Sequence, residues 1–372
     1  MKTPMKPRSG NKWLVVGSMS GTSLDGLDLA AVKFRRPENR WNFSIVTAET
    51  VKYSVEWEEK LRTAPELAGE QLIELHTAYG LFTGAQINRF IKTHRLLPDL
   101  IASHGHTVFH QPEKGFTFQT GNGACIAAET GITTVADFRS TDVALGGQGA
   151  PLVPVGDRLL FPEYESCLNL GGFANISFEK NEKRIAFDIC PVNFILNDLA
   201  RKLGKPFDEK GALGREGTVD NQLLEKLNQL EFYAQNPPKS LGKEWMDSHF
   251  FPVIEESNLS VQDKLRTAYE HIALQIAQAA PATGKMLVTG GGAFNTFLME
   301  QLRQQLKCEM VIPSREIINY KEALVFAFIG LLRVLGEINC LASVTGAKRD
   351  SSAGIIFPGN FLFNEKIISG KH

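Results

Sequence analysis

The stretch GSMSGTSLDGLDLA, residues 17–30, decides the fold. An apolar run from Lys12 to Met19 leads into it and reads as a short buried strand; Leu27 to Phe34 leaves it as a second. Between them lies a turn of glycines, hydroxyls and aspartates. A plain hairpin would use the same residues. Glycines, however, also let backbone approach a ligand, and turn N–H groups can form an anion nest, with Ser20, Thr22 and Ser23 adding donors. Gly21, Thr22, Ser23, Leu24, Asp25, Gly26, Leu27 and Asp28 are therefore candidates for holding phosphate. Asp25 or Asp28 can hold Mg²⁺ through water, since that ion keeps much of its hydration; Asp25 is taken as the candidate. This is not a Walker motif, because the Gly-Lys-Ser/Thr end is missing.

Beyond this stretch, Trp41 to Val51 reads as a third strand, followed by helices over Val55 to Ala64 and Gly69 to His94. Short strands at Leu100 to Ser103 and Thr133 to Ala136 flank a glycine-rich middle. A similar opening returns about 150 residues later. Cys167 to Leu170 is strand-like, Gly171-Gly172 turns the chain, Phe173 to Phe178 and Arg184 to Asp188 continue as strands, and Asn193 to Leu203 is helical. The pattern predicts an α/β fold with a duplicated unit. The expected lobes are 1–140, to which 350–372 can add, and 141–349, with residues 136–151 as a polar linker. A cleft between two such lobes is a favoured place for a ligand. In the second half, Leu265, Tyr269, Ile272, Ile276 and Ala280 form one apolar helix face. Lys285 to Thr289 is a strand, a helix starts near Ala293 to Asn295, and the apolar helix Tyr320 to Leu335 should be buried.

Three further groups carry chemistry. Gly290, Gly291 and Gly292, with Asn295 after them, let a flat nucleotide lie against backbone near a helix N-terminus. Asp188 is expected to end a strand before a turn fixed by Pro191; a carboxylate there can act as a general base, or simply cap the turn. His104, His106 and His110 would share a face only in an extended segment, so a ligand-lining loop is favoured over a metal site. Arg139 can grip a carboxylate bidentately or make a surface ion pair.

The bulk numbers exclude several classes. Lys plus Arg total 40 against 41 Asp plus Glu, so no basic excess supports a nucleic-acid partner. The longest apolar run, Ala323 to Leu332, is far shorter than the ~20 residues of a membrane span, and Trp13 to Val16 is too short for a secretory core. Five scattered cysteines without a CxxC pair suggest neither zinc nor disulfides, and point to a reducing cytoplasm.

Taken together, seven segments in order resemble the anhydro-N-acetylmuramic acid kinases: GSMSGTSLDGLDLA (17–30), SHGHTVFH (103–110), TGITTVADFRSTDVALGGQGAPLVP (130–154), LNLGGFANISF (168–178), YAQNPPKSLGKEW (233–245), VTGGGAFN (288–295) and SVTGA (343–347). The resemblance implies two duplicated actin-like, ribonuclease H-like lobes with a nucleotide cleft between them, the use of ATP and Mg²⁺, and a homodimer. It implies a reaction of peptidoglycan recycling in which water opens the 1,6-anhydro bond while O6 takes the γ-phosphoryl group. By position, Gly21 to Asp28 match the family's phosphate loop, Asp188 its water-activating aspartate and Gly290 to Asn295 its adenosine loop. His104, Arg139, Asn193 and Glu322 are the expected substrate-binding residues, with Arg139 for the lactyl carboxylate and Glu322 for a hydroxyl. The chain departs from the family pattern at Cys190 and Val192, which replace glycines, and at His106, Asn122 and Phe294. A same-fold kinase of another small sugar or acid, and a non-catalytic nucleotide-binding protein, remain as alternatives.

Overall fold

Lys12–Ser20 (β1) and Leu27–Arg35 (β2) pair antiparallel along their whole length, Lys12 with Arg35 and Ser20 with Leu27. The computed structural model describes residues 11–21 and 23–359; Thr22, an expected phosphate-binding residue, and the end of the expected tail at 360–372 lie outside the described residues. The chain continues through Asn42–Val51 (β3), Leu100–Gln111 (β4), Phe116–Thr120 (β5) and Thr134–Ala136 (β6). It then lays down Ser166–Leu170 (β7), Phe173–Lys180 (β8), Lys183–Pro191 (β9), Lys285–Thr289 (β10) and Glu309–Val311 (β11), and returns with Ile355–Phe357 (β12).

Two compact units result: Met1–Leu160 with Tyr320–His372, and Phe161–Asn319. The first holds a seven-stranded sheet, β12-β6-β4-β1-β2-β3 with β5 beside β4, and the second a five-stranded sheet, β11-β10-β7-β8-β9. In each, three strands run as an antiparallel meander and the first then pairs parallel with a strand that follows a helix. The duplication suggested by the glycine turns is thus present in the pairing of the strands.

The first unit is closed by the helix Arg315–Leu335, whose part beyond Tyr320 is buried almost throughout. Small residues let it sit directly on the sheet. A Cβ at Gly17 would collide with the Ala323 carbonyl, and one at Gly330 with Ala102. This seating brings the chain back to the first unit at Tyr320, well before the expected limit of 349.

Three local expectations need correction. β4 runs on to Gln111 instead of stopping at Ser103 and turns back into β5; the helix Gly123–Thr130 fills the rest of the glycine-rich middle. Within β4, Gly105 has a φ of 75° and a Cβ there would lie 2.5 Å from the Thr120 carbonyl oxygen, while the turn at Pro112–Lys114 closes on the left-handed Gly115, φ 81°. β9 continues past Asp188 to Pro191, which pairs with Phe173 at the strand end, where a missing N–H costs little. Finally, 136–151 is no linker. The first unit extends to Leu160, and Asp142, 1% exposed, pins this stretch by accepting from Gly149 N–H at 2.7 Å and Thr345 Oγ1 at 2.7 Å.

In the second unit, helix Val261–Ala279 supplies Leu265, Tyr269, Ile272 and Ile276 to one core that also contains Leu168, Ile176 and Val288 of the sheet. The strand at Lys285–Thr289 forms over the expected residues.

Candidate active site

In the first unit the β1–β2 loop is shaped by its own atoms. Leu24 donates its N–H to the Gly21 carbonyl at 3.3 Å and takes a φ of 59°, while Ser23 Oγ donates to Asp25 Oδ1 at 2.7 Å. Gly26 is required, since a Cβ there would lie 2.7 Å from the Val51 carbonyl oxygen. Leu27 is 1% exposed and sends its side chain into the core, so only its backbone is available to a ligand. Ser20, expected as a ligand donor, instead faces inward. Its hydroxyl accepts from Tyr53 at 2.7 Å and lies 2.9 Å from His106 Nδ1; the Tyr53 and Tyr79 hydroxyls pair at 2.5 Å. Burial holds His106 down at about 4, so its ring is neutral and the chain of hydroxyls braces the end of β1.

Asp28 opens β2 half-buried, with Thr50 Oγ1 donating to its Oδ1 at 2.5 Å. Burial pushes its carboxyl up to about 6; the Thr50 bond opposes this, and the charges of Asp25 and Glu322 add to it. A divalent cation would relieve that repulsion, and carboxylate and hydroxyl oxygens suit Mg²⁺. Among the described residues no three His, Cys, Asp or Glu side chains could ligate one ion together, so the fit is to an ion that keeps waters.

His104, His106 and His110 do lie on one strand, but each has its own partner. His110 Nδ1 lies 3.1 Å from Thr117 Oγ1, and His104 is bound to Arg139. Arg139 Nε and Nη2 stand 3.0 and 2.9 Å from His104 Nε2, and Nη1 donates to the Gly149 carbonyl at 2.7 Å. His104 Nδ1 is 2.9 Å from the Gly105 carbonyl. Nε2 must therefore be the bare acceptor and Nδ1 the protonated nitrogen. Burial, then the Arg139 charge, keeps His104 well below the ordinary histidine range. Burial also lowers Arg139 to about 10, opposed by Glu322, Cys340 and Asp142. Glu322 is exposed at its own surface, yet packed surroundings raise its carboxyl while Arg139 and Lys321 draw it back. A cavity of about 170 Å³ beside His104 is lined by His76, Gln119, Asn122 and Asp137.

In the second unit Asp188 lies on β9, the edge strand. The segment after Pro238 runs beside it. Asp188 N–H donates to the Lys239 carbonyl at 3.0 Å, and Leu241 N–H donates to Asp188 Oδ2 at 2.8 Å. Among the described residues Oδ1 has no hydrogen-bond partner. Burial raises this carboxyl to about 6 and the Leu241 N–H draws it down. Cys190 points into the core, fully buried, and Val192 turns into the next helix at φ −126°, so no left-handed residue is needed there.

The glycine loop forms a separate site of the same unit. Gly290 has a φ of 83° and a Cβ there would sit 2.7 Å from Asn169 Oδ1; Gly292 is pressed on Leu170. Residues Gly291–Phe294 make one tight turn, and Asn295 caps the helix Thr296–Gln305 by accepting from Leu298 N–H at 3.1 Å. Asn295 Nδ2 donates to Tyr269 at 2.6 Å, so its side chain is committed to the fold. A cavity of about 530 Å³ opens over Gly291 and Asn193, walled by Phe207, Asp208, Phe294 and Arg315, with the Arg315 guanidinium 5.4 Å from the Phe294 ring. Asn193 also donates to the Leu170 carbonyl at 3.2 Å. Reading the sequence missed Phe207, Asp208 and Arg315, and it missed Leu241; Phe207 stands out only in the fold, where it is 54% exposed.

The sequence profile of the anhydro-N-acetylmuramic acid kinases matches residues 13–359. The anhydro-N-acetylmuramic acid kinase of Mannheimia succiniciproducens is 37% identical over 373 residues, covering 93% of this chain and 99% of that protein. That of Vibrio cholerae is 36% identical, covering 92% and 98%. Among solved structures, the activator of the 2-hydroxyisocaproyl-CoA dehydratase from Clostridium difficile is similar at TM-score 0.42 and 12% identity, covering 86% of this chain and 95% of that one. A xylulose kinase from Lactobacillus acidophilus is similar at TM-score 0.42 and 9% identity, covering 87% and 89%.

Proposed function

The chain belongs to the anhydro-N-acetylmuramic acid kinase family, and on that premise we propose that it opens 1,6-anhydro-N-acetylmuramic acid with water while passing the γ-phosphoryl group of ATP to O6. The products are N-acetylmuramic acid 6-phosphate and ADP, and the reaction serves peptidoglycan recycling in the cytoplasm, by a homodimer. No helix among the described residues is long and apolar enough to cross a membrane.

One observation carries the reading: a half-buried carboxylate, Asp188, with one oxygen fixed by a backbone N–H and the other open, raised to about 6. Such a group is ionised at neutral pH yet basic enough to take a proton. An inverting glycosidase needs a second carboxyl group to protonate the leaving oxygen. Here the leaving O6 is captured by phosphorus, so one base suffices. Asp188 takes a proton from water, the water oxygen bonds to C1 and the C1–O6 bond breaks. O6 bonds to the γ-phosphorus as the bond to ADP breaks, and the proton on Asp188 passes to solvent.

The backbone of Gly21, Ser23, Leu24 and Gly26 cradles the phosphates, and Thr22 belongs to the same loop. Asp25, with Asp28 behind it, would hold Mg²⁺ through water; the ion, when bound, neutralises charge on the triphosphate. Gly290, Gly291, Gly292 and Asn295 shape the floor on which the adenosine lies, beside Asn193. Arg139 takes the lactyl carboxylate and Glu322 a sugar hydroxyl.

Incubation with ATP, Mg²⁺ and a panel of anhydro-sugars and simple sugars tests this by ADP release. Release that depends on the anhydromuramyl sugar is expected. Release with another acceptor alone would make the protein a kinase of that acceptor, and nucleotide binding without turnover would make it a binding protein.

A further inference from the structure

His104 was expected to touch the sugar, yet its polar atoms are engaged within the protein. The ring is 4% exposed and packs on Phe326 with centroids 4.5 Å apart. Nδ1 is tied to the Gly105 carbonyl, and Nε2 faces both Nε and Nη2 of Arg139. Of a guanidinium's five N–H donors, these two are spent on His104 and a third on the Gly149 carbonyl. The two that remain lie one on each terminal nitrogen. That is the number a carboxylate accepts in a paired contact.

The partners also fix the plane of the guanidinium. A neutral acceptor on one edge and a carbonyl at one end leave it a single orientation. A carboxylate in the place of His104 would hold the arginine as firmly but would cancel its charge. A neutral imidazole holds it and adds no opposing charge to those of Glu322 and Asp142.

Resting on the proposed role of Arg139, we propose that His104 is the positioning residue that makes this kinase select an acidic anhydro-sugar over its neutral counterpart, by presenting Arg139 to the lactyl carboxylate. His104 acts through Arg139 and does not contact the reacting atoms.

The test is the ratio of kcat/KM for 1,6-anhydro-N-acetylmuramic acid to that for 1,6-anhydro-N-acetylglucosamine, which lacks the lactyl group. Arg139→Ala is expected to lower the ratio about 30-fold, the worth of a charged hydrogen-bonded contact. His104→Phe keeps a ring on Phe326 but removes the acceptor, and should lower the ratio about as much. The double variant should fall no further than Arg139→Ala alone. His104→Gln, whose amide oxygen reaches the position of Nε2, should restore the ratio to within about threefold of the parent. If His104→Phe does not fold, His104→Asn, too short to reach Arg139, replaces it with the same expectation. A His104 variant that slows both sugars equally, or adds its full loss to that of Arg139→Ala, would overturn the proposal. An unchanged ratio in Arg139→Ala would instead remove the carboxylate clamp itself, and the inference with it.

Discussion

The two sheets share a ladder, and each puts a carboxylate on the same rung of it, but on different strands. Nearest the first turn, Leu27 lies between Ser20 and Val51; nearest the second, Ala174 lies between Leu170 and Cys190. On the next rung, Asp28 lies between Met19 and Thr50, and Asn175 between Asn169 and Asp188. The first unit therefore carries its acid on the middle strand with a hydroxyl outside, and the second an amide in the middle with its acid outside. Both carboxyls are raised to about 6, chiefly by burial. What separates them is company. Asp28 feels Asp25 and Glu322, as a cation site would, whereas Asp188 has only a backbone N–H. A bulge between Ala174 and Asn175 adds one residue to β9 and sets Asp188 on its rung.

Two substitutions separate the carboxylates most strongly. Asp188→Asn should lower product formation by about 10³-fold, as the loss of a general base does, with nucleotide affinity unchanged by titration calorimetry. Asp28→Asn should cost about 30-fold in kcat/KM for ATP, with the Mg²⁺ requirement moved to higher concentration. If Asp28→Asn abolished chemistry with nucleotide and Mg²⁺ binding intact, while Asp188→Asn only weakened nucleotide binding, the two assignments would be exchanged.

A pH profile sharpens the distinction. A base works deprotonated, so turnover should fall as pH drops through about 6 and be flat above it. The Leu241 N–H lowers the Asp188 pKa; Leu241→Pro removes that donor, and the acid limb should move to higher pH. An unmoved limb would assign it to another group. The smallest effect is expected in the glycine-loop cavity. Phe294→Ala removes the ring beneath Arg315 and should raise KM for ATP about fivefold, with kcat little changed.

Much of the ladder was legible because its signals are local. Apolar runs broken by glycine announced β1, β2, β7 and β8, and the strand Lys285–Thr289 was expected over its full length. The hairpin of β4 and β5 was not, since its histidines and threonines carry no apolar alternation and its turn closes on the left-handed Gly115. Asp188 could be picked out as an acid beside a turn, but not what holds it: the Leu241 contact is made by a backbone N–H, which no residue type advertises. Asp142 and Thr345, like Arg139 and His104, meet across long stretches of chain, so their partnerships exist only in the fold. Ser20 looked like a ligand donor because its hydroxyl stands beside a glycine loop; the buried Tyr53 and His106 turned it inward.

The coupling of water to phosphoryl transfer is tested most directly by the mass of the sugar formed when the protein is given 1,6-anhydro-N-acetylmuramic acid, ATP and Mg²⁺. A single product is expected, heavier than the substrate by one water and one phosphoryl group, with one ADP released for each. A phosphorylated sugar that keeps its anhydro bridge, or a hydrolysed sugar without phosphate, would contradict it.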